Sequence, residues 1–261
     1  MQILVKGGTG LGIISVVRER RSAWLIIYGA ILLAWTLLLP MAAEQADIAN
    51  GYERSLLASI CNVSVSEAGY FASVLMWMLM AIAMMLPTAV PAFNVYADLR
   101  HAGHNGSLLH LALGYISVWF GFSILAAGVQ VALLSRALID DAGTSLSLPL
   151  SAGLLALAGL YQFTPLKTNC AERCRHPLGF FFEHAHEGPY RNGVRLGVVC
   201  LGCCWALMAL AFVGGVMSIG FMALGALLMT LEKLPDIGKQ VTWSLGLTLL
   251  VAAVWVSAMA F

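Results

Sequence analysis

Long apolar runs separated by short polar segments dominate the hydrophobic pattern of the chain. A helix needs about 20 mostly apolar residues to cross a bilayer, and seven runs approach or reach that length. They are Ala23–Met41, Tyr70–Leu86 (which runs on past Pro87), Leu108–Leu134, Leu148–Pro165, Val194–Val216, Ser218–Leu231 and Thr242–Phe261. The pattern predicts an all-α, polytopic transmembrane helix bundle of about seven spans. The sixth run is short, so the count falls to six if Ser218–Leu231 is re-entrant.

The composition supports a membrane protein. Hydrophobic residues make up 60% of the 261 residues and charged residues only 10%, whereas an ordinary soluble domain carries roughly 25% charged residues. So little charge cannot cover a soluble surface of this size, and the lipid bilayer is therefore the expected surrounding of most of the chain. The net charge of +1 gives no indication of nucleic-acid binding. We expect a single transmembrane domain over residues 1–261.

The basic residues divide unequally between the two sides of the seven-span arrangement. Of the 14 Lys and Arg residues, all but Arg54 and Arg136 fall on the side of the N-terminus. Lys and Arg concentrate in the cytoplasmic loops of membrane proteins. The asymmetry therefore predicts a cytoplasmic N-terminus and an external C-terminus. Residues 1–22 would form a flexible cytoplasmic tail, and residues 166–192 a cytoplasmic loop rich in Cys and His.

Five of the six cysteines fall into two short stretches at the cytoplasmic ends of consecutive spans. Positions i and i+4 are neighbours on a helix surface, so each stretch can present its sulfur atoms on one face. Thiolate and thioether sulfur are soft ligands that favour Cu(I), zinc or iron–sulfur centres. The alternative is that these cysteines are only packed in the bundle. The candidate ligands from the two stretches are Cys170, Cys174, His176, Cys200, Cys203, Cys204 and Met208.

A stripe of methionines marks the second span. Met76, Met80 and Met84 are spaced at i, i+4 and i+8, which places them on one helix face. Methionine is most often a plastic core residue. The functional alternative is a thioether path for Cu(I) that ends at the break expected between Pro87 and Pro91, since broken backbone is tolerated where it is buried or lines a cavity.

Two polar features accompany these sulfur-rich stretches. Glu232 and Lys233 directly follow the short sixth run, and we expect them to pair with each other or to face the aqueous boundary. His184 and His186 lie in the Cys/His loop. They would either ligate a metal or belong to a solvated interfacial loop.

Three motifs resemble, in order along the chain, those of a bacterial family of predicted metal-binding integral membrane proteins. They are MWMLMAIAMMLPTA (76–89), YQFTPLKTNCAERCRHP (161–177) and GVVCLGCCWALM (197–208), the last followed by Glu232-Lys233. The resemblance covers about residues 76–233, and the second and third motifs are quite specific. It implies a multi-pass protein of the bacterial inner membrane with a connection to copper or another soft metal. The biochemical function of the family itself is uncharacterised.

The leading hypothesis is therefore an integral membrane protein that binds or handles a soft metal, with Cu(I) expected first and Zn or Fe as alternatives. Its role would be metal delivery, storage or metalloenzyme assembly, with a metallochaperone or a membrane metalloenzyme as partner. A membrane thiol–disulfide oxidoreductase is the second hypothesis, although a Cys-x-x-Cys pair occurs only as Cys200 and Cys203. A haem- or quinone-associated subunit, or a structural subunit of a larger complex, is the third. We expect a non-enzyme, because no acid–base pair, nucleophile triad or phosphate loop is evident.

Overall fold

A computed structural model of the protein describes residues 21–39, 67–101, 107–140, 142–216 and 218–259. The regular secondary structure of these residues is helical, apart from one isolated bridge between Ile139 and Ser145, which confirms the predicted all-α class. The helices are α1 (Arg21–Leu39), α2 (Glu67–His101), α3 (Leu108–Leu134), α4 (Leu148–Gln162), α5 (Pro165–Arg175), α6 (Pro177–Glu183), α7 (Pro189–Ala209), α8 (Ala211–Gly214), α9 (Ile219–Glu232) and α10 (Gly238–Ala258). Nearly all of the predicted tail, 1–22, and the predicted span ends at Met41 and Phe261 lie outside the described residues.

Five helical segments are long and apolar enough to cross a membrane: α1, α2, α3, α7 together with α8, and α10. The apolar helices α4 and α9 have 15 and 14 residues. At 1.5 Å per residue they reach roughly 21–23 Å, short of a hydrocarbon core about 30 Å thick. The seven-span count therefore stays a prediction. Large apolar side chains cover the outside of the bundle, as Leu125 and Val254 illustrate with 70% exposure each.

Helix α2 continues through both of its prolines, so the break expected between Pro87 and Pro91 does not interrupt the helix. Pro87 has no N–H and leaves the carbonyl of Ala83 without its helical partner. The indole N–H of Trp35 on α1 donates to this carbonyl at 3.2 Å. The contact satisfies the freed backbone group and attaches α1 to α2 at the level of the proline.

Pro165 begins a new helix and does not extend the predicted span Leu148–Pro165. The hydroxyl of Thr164 caps α5 by accepting the N–H of Lys167 at 3.3 Å, and a proline at the first helical position suits such a start. The predicted Cys/His loop, 166–192, thus contains most of α5 and all of α6. On α5, Cys170 and Cys174 occupy the i and i+4 positions considered for a helix.

Glycines allow α3 and α7 to cross in close backbone contact. A Cβ at Gly114 would overlap the carbonyl of Tyr190, and a Cβ at Gly193 would overlap the carbonyl of Leu111. Small residues let membrane helices approach in this way. The crossing places Tyr115, the residue after Gly114, directly against α7.

Helix α2 also packs against α3. The indole of Trp77 is fully buried and donates to the side-chain carbonyl of Gln130 at 2.6 Å. Pairing these two buried polar groups removes the desolvation penalty that each would have alone. The α2–α3–α7 packing forms the frame around the cysteines of α7.

We expect Gly114→Ala to destabilise the protein by about 1–3 kcal/mol, because its Cβ meets backbone that must move apart. The measurement is unfolding of the purified protein in detergent. Gly121→Ala on the same helix is the matched control, since nothing lies within 4 Å of a Cβ there. Equal effects of the two variants would contradict the close crossing.

Candidate metal centre

One turn of α7 gathers three buried thiols. The Sγ atoms of Cys200, Cys203 and Cys204 all lie within 4.8 Å of one another, and those of Cys203 and Cys204 are 3.2 Å apart. The three residues are at most 3% exposed. We call them the α7 thiol cluster. Three sulfur donors this close together, in a site shielded from water, suit a soft monovalent ion such as Cu(I).

A fourth thiol comes from α5. The Sγ of Cys174 lies 4.0 Å from the Sγ of Cys203. The hydrogen-bond interaction with Cys200 is the main cause that raises the pKa of Cys174 above the ordinary value of a thiol. The two sequence stretches therefore converge through Cys174, and the fourth thiol is delivered by a different helix from the other three.

Cys170 lies one turn before Cys174 but faces another part of α7. A Cβ at Gly202 would lie 2.7 Å from the Cys170 sulfur, so the thiol packs where α7 has no side chain. Burial raises the pKa of Cys170 above its ordinary value. Among the described residues no hydrogen bond joins Cys170 to the α7 thiol cluster.

Two polar side chains contact Cys200. The ammonium of Lys233 donates to the Cys200 sulfur at 3.0 Å and to the Thr88 hydroxyl oxygen at 2.5 Å. The Tyr115 hydroxyl lies 3.0 Å from the same sulfur and donates to the carbonyl of Met85 at 3.0 Å. Cys200 thus contacts α3 and the residue that follows α9, and both of these partners are bonded in turn to α2. Its charge environment differs from that of Cys203 and Cys204.

A small cavity of about 30 Å³ adjoins this corner of the cluster. Its walls include Thr88, Tyr115, Cys174, Cys200 and Lys233. Such a volume holds one water-sized group. The thiols of Cys174 and Cys200 therefore border a space where a single small ligand can approach them.

A buried ion pair supports the cluster from the α5 side. Lys167 is completely buried, and its ammonium donates to the Cys203 carbonyl at 2.6 Å and to the Glu232 carboxylate at 2.7 Å. Burial lowers the pKa of Lys167, but the Glu232 carboxylate and the neighbouring thiols raise it by more, so the net shift is upward. Through the main-chain carbonyl of Cys203, the pair connects α5, α7 and α9 next to the thiol cluster. Arg175 reinforces this junction through its donation to the Glu232 carbonyl at 2.9 Å.

Glu232 and Lys233 are not partners of each other, and Glu232 is buried away from the aqueous boundary, which corrects both sequence expectations for it. Glu232 turns to Lys167, whereas Lys233 turns to Cys200. Consecutive residues at a helix end point in different directions. The Glu232 carboxylate therefore contacts α5, whereas the Lys233 ammonium contacts Cys200 on α7.

The predicted methionine ligands lie in the core of the bundle, whereas the histidines lie outside the thiol cluster. Met76, Met80 and Met84 are buried core residues of α2, and Met208 is buried one turn beyond Cys204. His176 is a surface residue, 68% exposed, beside the Glu172 carboxylate at 3.7 Å. His184 follows α6, and its Nδ1–H donates to the Phe180 carbonyl at 2.8 Å. A ligand role for these side chains stays a prediction.

Sequence reasoning missed Tyr115, Thr88 and Lys167 as parts of the site. Lys167 carried a signal, because a lysine inside a sulfur-rich motif at the end of an apolar run needs a partner if it is buried. Tyr115 carried none, since an aromatic residue is ordinary within the 27-residue apolar helix α3. Its position next to Gly114 became meaningful only with the helix crossing.

We expect Lys167→Leu to destabilise the protein by about 3–5 kcal/mol, because Glu232 is then buried without a counter-charge. Unfolding in detergent measures this loss. Lys239→Leu is the control, since that lysine is 72% exposed and lies 3.7 Å from Glu172. If both variants unfold like the wild type, the buried pair does not contribute to stability.

Comparison with known proteins agrees with this thiol chemistry. The family model PpoB2, described as copper chaperone, matches residues 74–256. That range takes in the α7 thiol cluster, Cys174 and both ends of the Lys167–Glu232 pair. No curated protein and no solved structure matches the chain. Since the match covers well over half of the 261 residues, the chain belongs to the PpoB2 copper chaperone family.

Proposed function

We propose that the protein is a membrane-embedded copper chaperone that holds Cu(I) at the α7 thiol cluster. The observation that carries the proposal is the burial of three thiols within 4.8 Å of one another, in a chain of a copper chaperone family. Cu(I) prefers soft sulfur ligands. The low-dielectric surroundings of the cluster also keep water and competing hard ligands away from the ion.

The membrane location rests on the length and apolar character of the helices. Five segments are long enough to span a bilayer, and apolar side chains cover the outside of the bundle. The charge asymmetry favours an N-terminus in the cytoplasm, and the resemblance of the three motifs to a bacterial family leads us to propose the bacterial inner membrane. In that orientation α5 and the start of α7 lie towards the cytoplasmic side, so copper would be received from there.

Transfer would proceed by exchange of sulfur ligands. Cys174 is half-buried, belongs to a different helix from the other three thiols and lies 4.0 Å from Cys203. A bond from one sulfur to the ion can form as a bond from another breaks, so the ion need not be released into water. Cys174 would make the first and last contact with the ion, and the α7 thiol cluster would hold it between these steps.

The recipient would be a copper-dependent membrane enzyme or a further metallochaperone. The family description points to delivery of copper, and the thiol cluster supplies a site from which delivery can start. Storage alone does not require a separate, less buried thiol at the edge of the cluster.

A thiol–disulfide oxidoreductase remains the second candidate. The sulfur atoms of Cys174 and Cys203 are 4.0 Å apart, so a small movement would bring them to the length of a disulfide bond. The oxidoreductase would need a disulfide that forms and breaks during turnover. Alkylation of the purified protein before and after reduction distinguishes this candidate from metal transfer.

We expect purified wild-type protein to contain copper and Cys203→Ser to bind Cu(I) at least about tenfold more weakly, as expected when a ligand is lost. Metal content by mass spectrometry and competition with a Cu(I) chelator are the measurements. Cys170→Ser is the matched control, because that thiol packs against Gly202 and not against the cluster. Equal copper binding by Cys203→Ser and wild type would refute the proposed site.

We expect Cys174→Ser to retain bound copper but to release it severalfold more slowly to an external thiol. The three thiols of α7 remain for equilibrium binding, whereas the exchanging ligand at the edge is lost. Stopped-flow detection of copper transfer to a chelating dithiol measures the rate. Unchanged transfer kinetics together with unchanged binding would remove Cys174 from the path.

A further inference from the structure

Lys233 brings a positive charge to the thiol cluster without an acidic partner. Within the described part of the chain, no Asp or Glu lies within ion-pair distance of its ammonium. The neighbouring carboxylate of Glu232 is engaged with Lys167 at 2.7 Å. The polar contacts of Lys233 are the sulfur of Cys200 at 3.0 Å and the hydroxyl oxygen of Thr88 at 2.5 Å.

The position of the ammonium is set by the helix ends around it. Lys233 is the C-cap residue of α9, and its N–H remains bonded to the last helical carbonyls. The Thr88 hydroxyl donates its own proton to the Met85 carbonyl at 2.8 Å, so its oxygen is left to accept from Lys233. The helix end on one side and the Thr88 hydroxyl on the other therefore hold the ammonium next to Cys200.

The net charge of the metal–thiolate complex depends on which ion is bound. For any given number of thiolates, a complex of a divalent ion is one unit more positive than the same complex of Cu(I). This difference is the same whether two, three or four of the cysteines bind. With two or more thiolates the Cu(I) complex is the more negative of the two. The positive charge of Lys233 therefore stabilises it more than the divalent complex, because charges a few ångströms apart interact strongly in surroundings of low dielectric constant.

We propose that Lys233 is a specificity-determining residue that makes the cluster favour monovalent Cu(I) over divalent ions such as Zn(II). The inference rests on the proposed function, since it requires a metal held by the cluster. Thiols alone bind both ions well, so sulfur chemistry does not by itself provide this discrimination. A fixed positive charge at the edge of the site does.

The size of the effect follows from the setting of the charge. Lys233 is half-buried, so solvent weakens its field relative to that of a fully buried group. Even so, one extra unit of charge close to the ion is worth about a tenfold change in relative affinity or more. The effect acts on the ratio of the two affinities, which distinguishes it from a general loss of structure.

The test measures Cu(I) and Zn(II) affinities of the detergent-purified protein by competition with a chelator for each ion. Lys233→Gln removes the charge and introduces no sulfur ligand. We expect the ratio of Cu(I) affinity to Zn(II) affinity to fall by about tenfold or more in this variant. Lys233→Arg retains the charge and should retain most of the preference. Lys239→Gln, which removes an exposed lysine, should leave the ratio unchanged.

The outcomes separate the two proposals. If the wild type binds neither ion at the cluster, the proposed function fails. If it binds Cu(I) but Lys233→Gln has an unchanged ratio of affinities, the specificity role of Lys233 fails and the copper site stands. Should Lys233→Gln not fold, Lys233→Leu serves as the second charge-removing variant. A comparable weakening of both ions would also overturn the inference, because it indicates a structural role.

Discussion

The buried contact of Lys167 with Glu232 and the Cys203 carbonyl is the interaction on which the arrangement of the site depends. A buried charge is tolerated only when it is paired and hydrogen-bonded, so the pair requires α5, α7 and α9 to meet at one place. That meeting brings Cys174 of α5 to the α7 thiol cluster. It also leaves Lys233, the next residue after Glu232, free to extend towards Cys200. The ligand set and its neighbouring charge thus follow from one junction of three helices.

The two lysines of the site differ in whether an acidic side chain neutralises them. Lys167 is neutralised by Glu232 and stabilises the fold, whereas Lys233 has no acidic partner in the described residues and acts on the thiols. Because the bundle contains few charged residues, little further counter-charge screens either lysine, although solvent weakens the field of the half-buried Lys233. This division allows structure and metal preference to be set by different side chains.

The helix crossings determine how closely the remaining groups approach the thiols. Gly114 and Gly193 bring the backbones of α3 and α7 together, and Tyr115 reaches Cys200 as a consequence. The proline in α2 has a comparable effect, since the Ala83 carbonyl it frees becomes the point of attachment for Trp35. Small residues and prolines, which supply no functional group, therefore position the groups that do.

The sequence by itself determined the helical class, most of the helices and the two sulfur-rich stretches, because apolar periodicity and residue type are local properties. It also indicated soft-metal chemistry, since that depends on ligand type alone. Only the tertiary structure decided that Cys174 joins the α7 thiol cluster while Cys170 faces Gly202, and that Glu232 and Lys233 reach different partners. These outcomes depend on where three helices meet, and side chains adjacent in the chain can have entirely different neighbours in space.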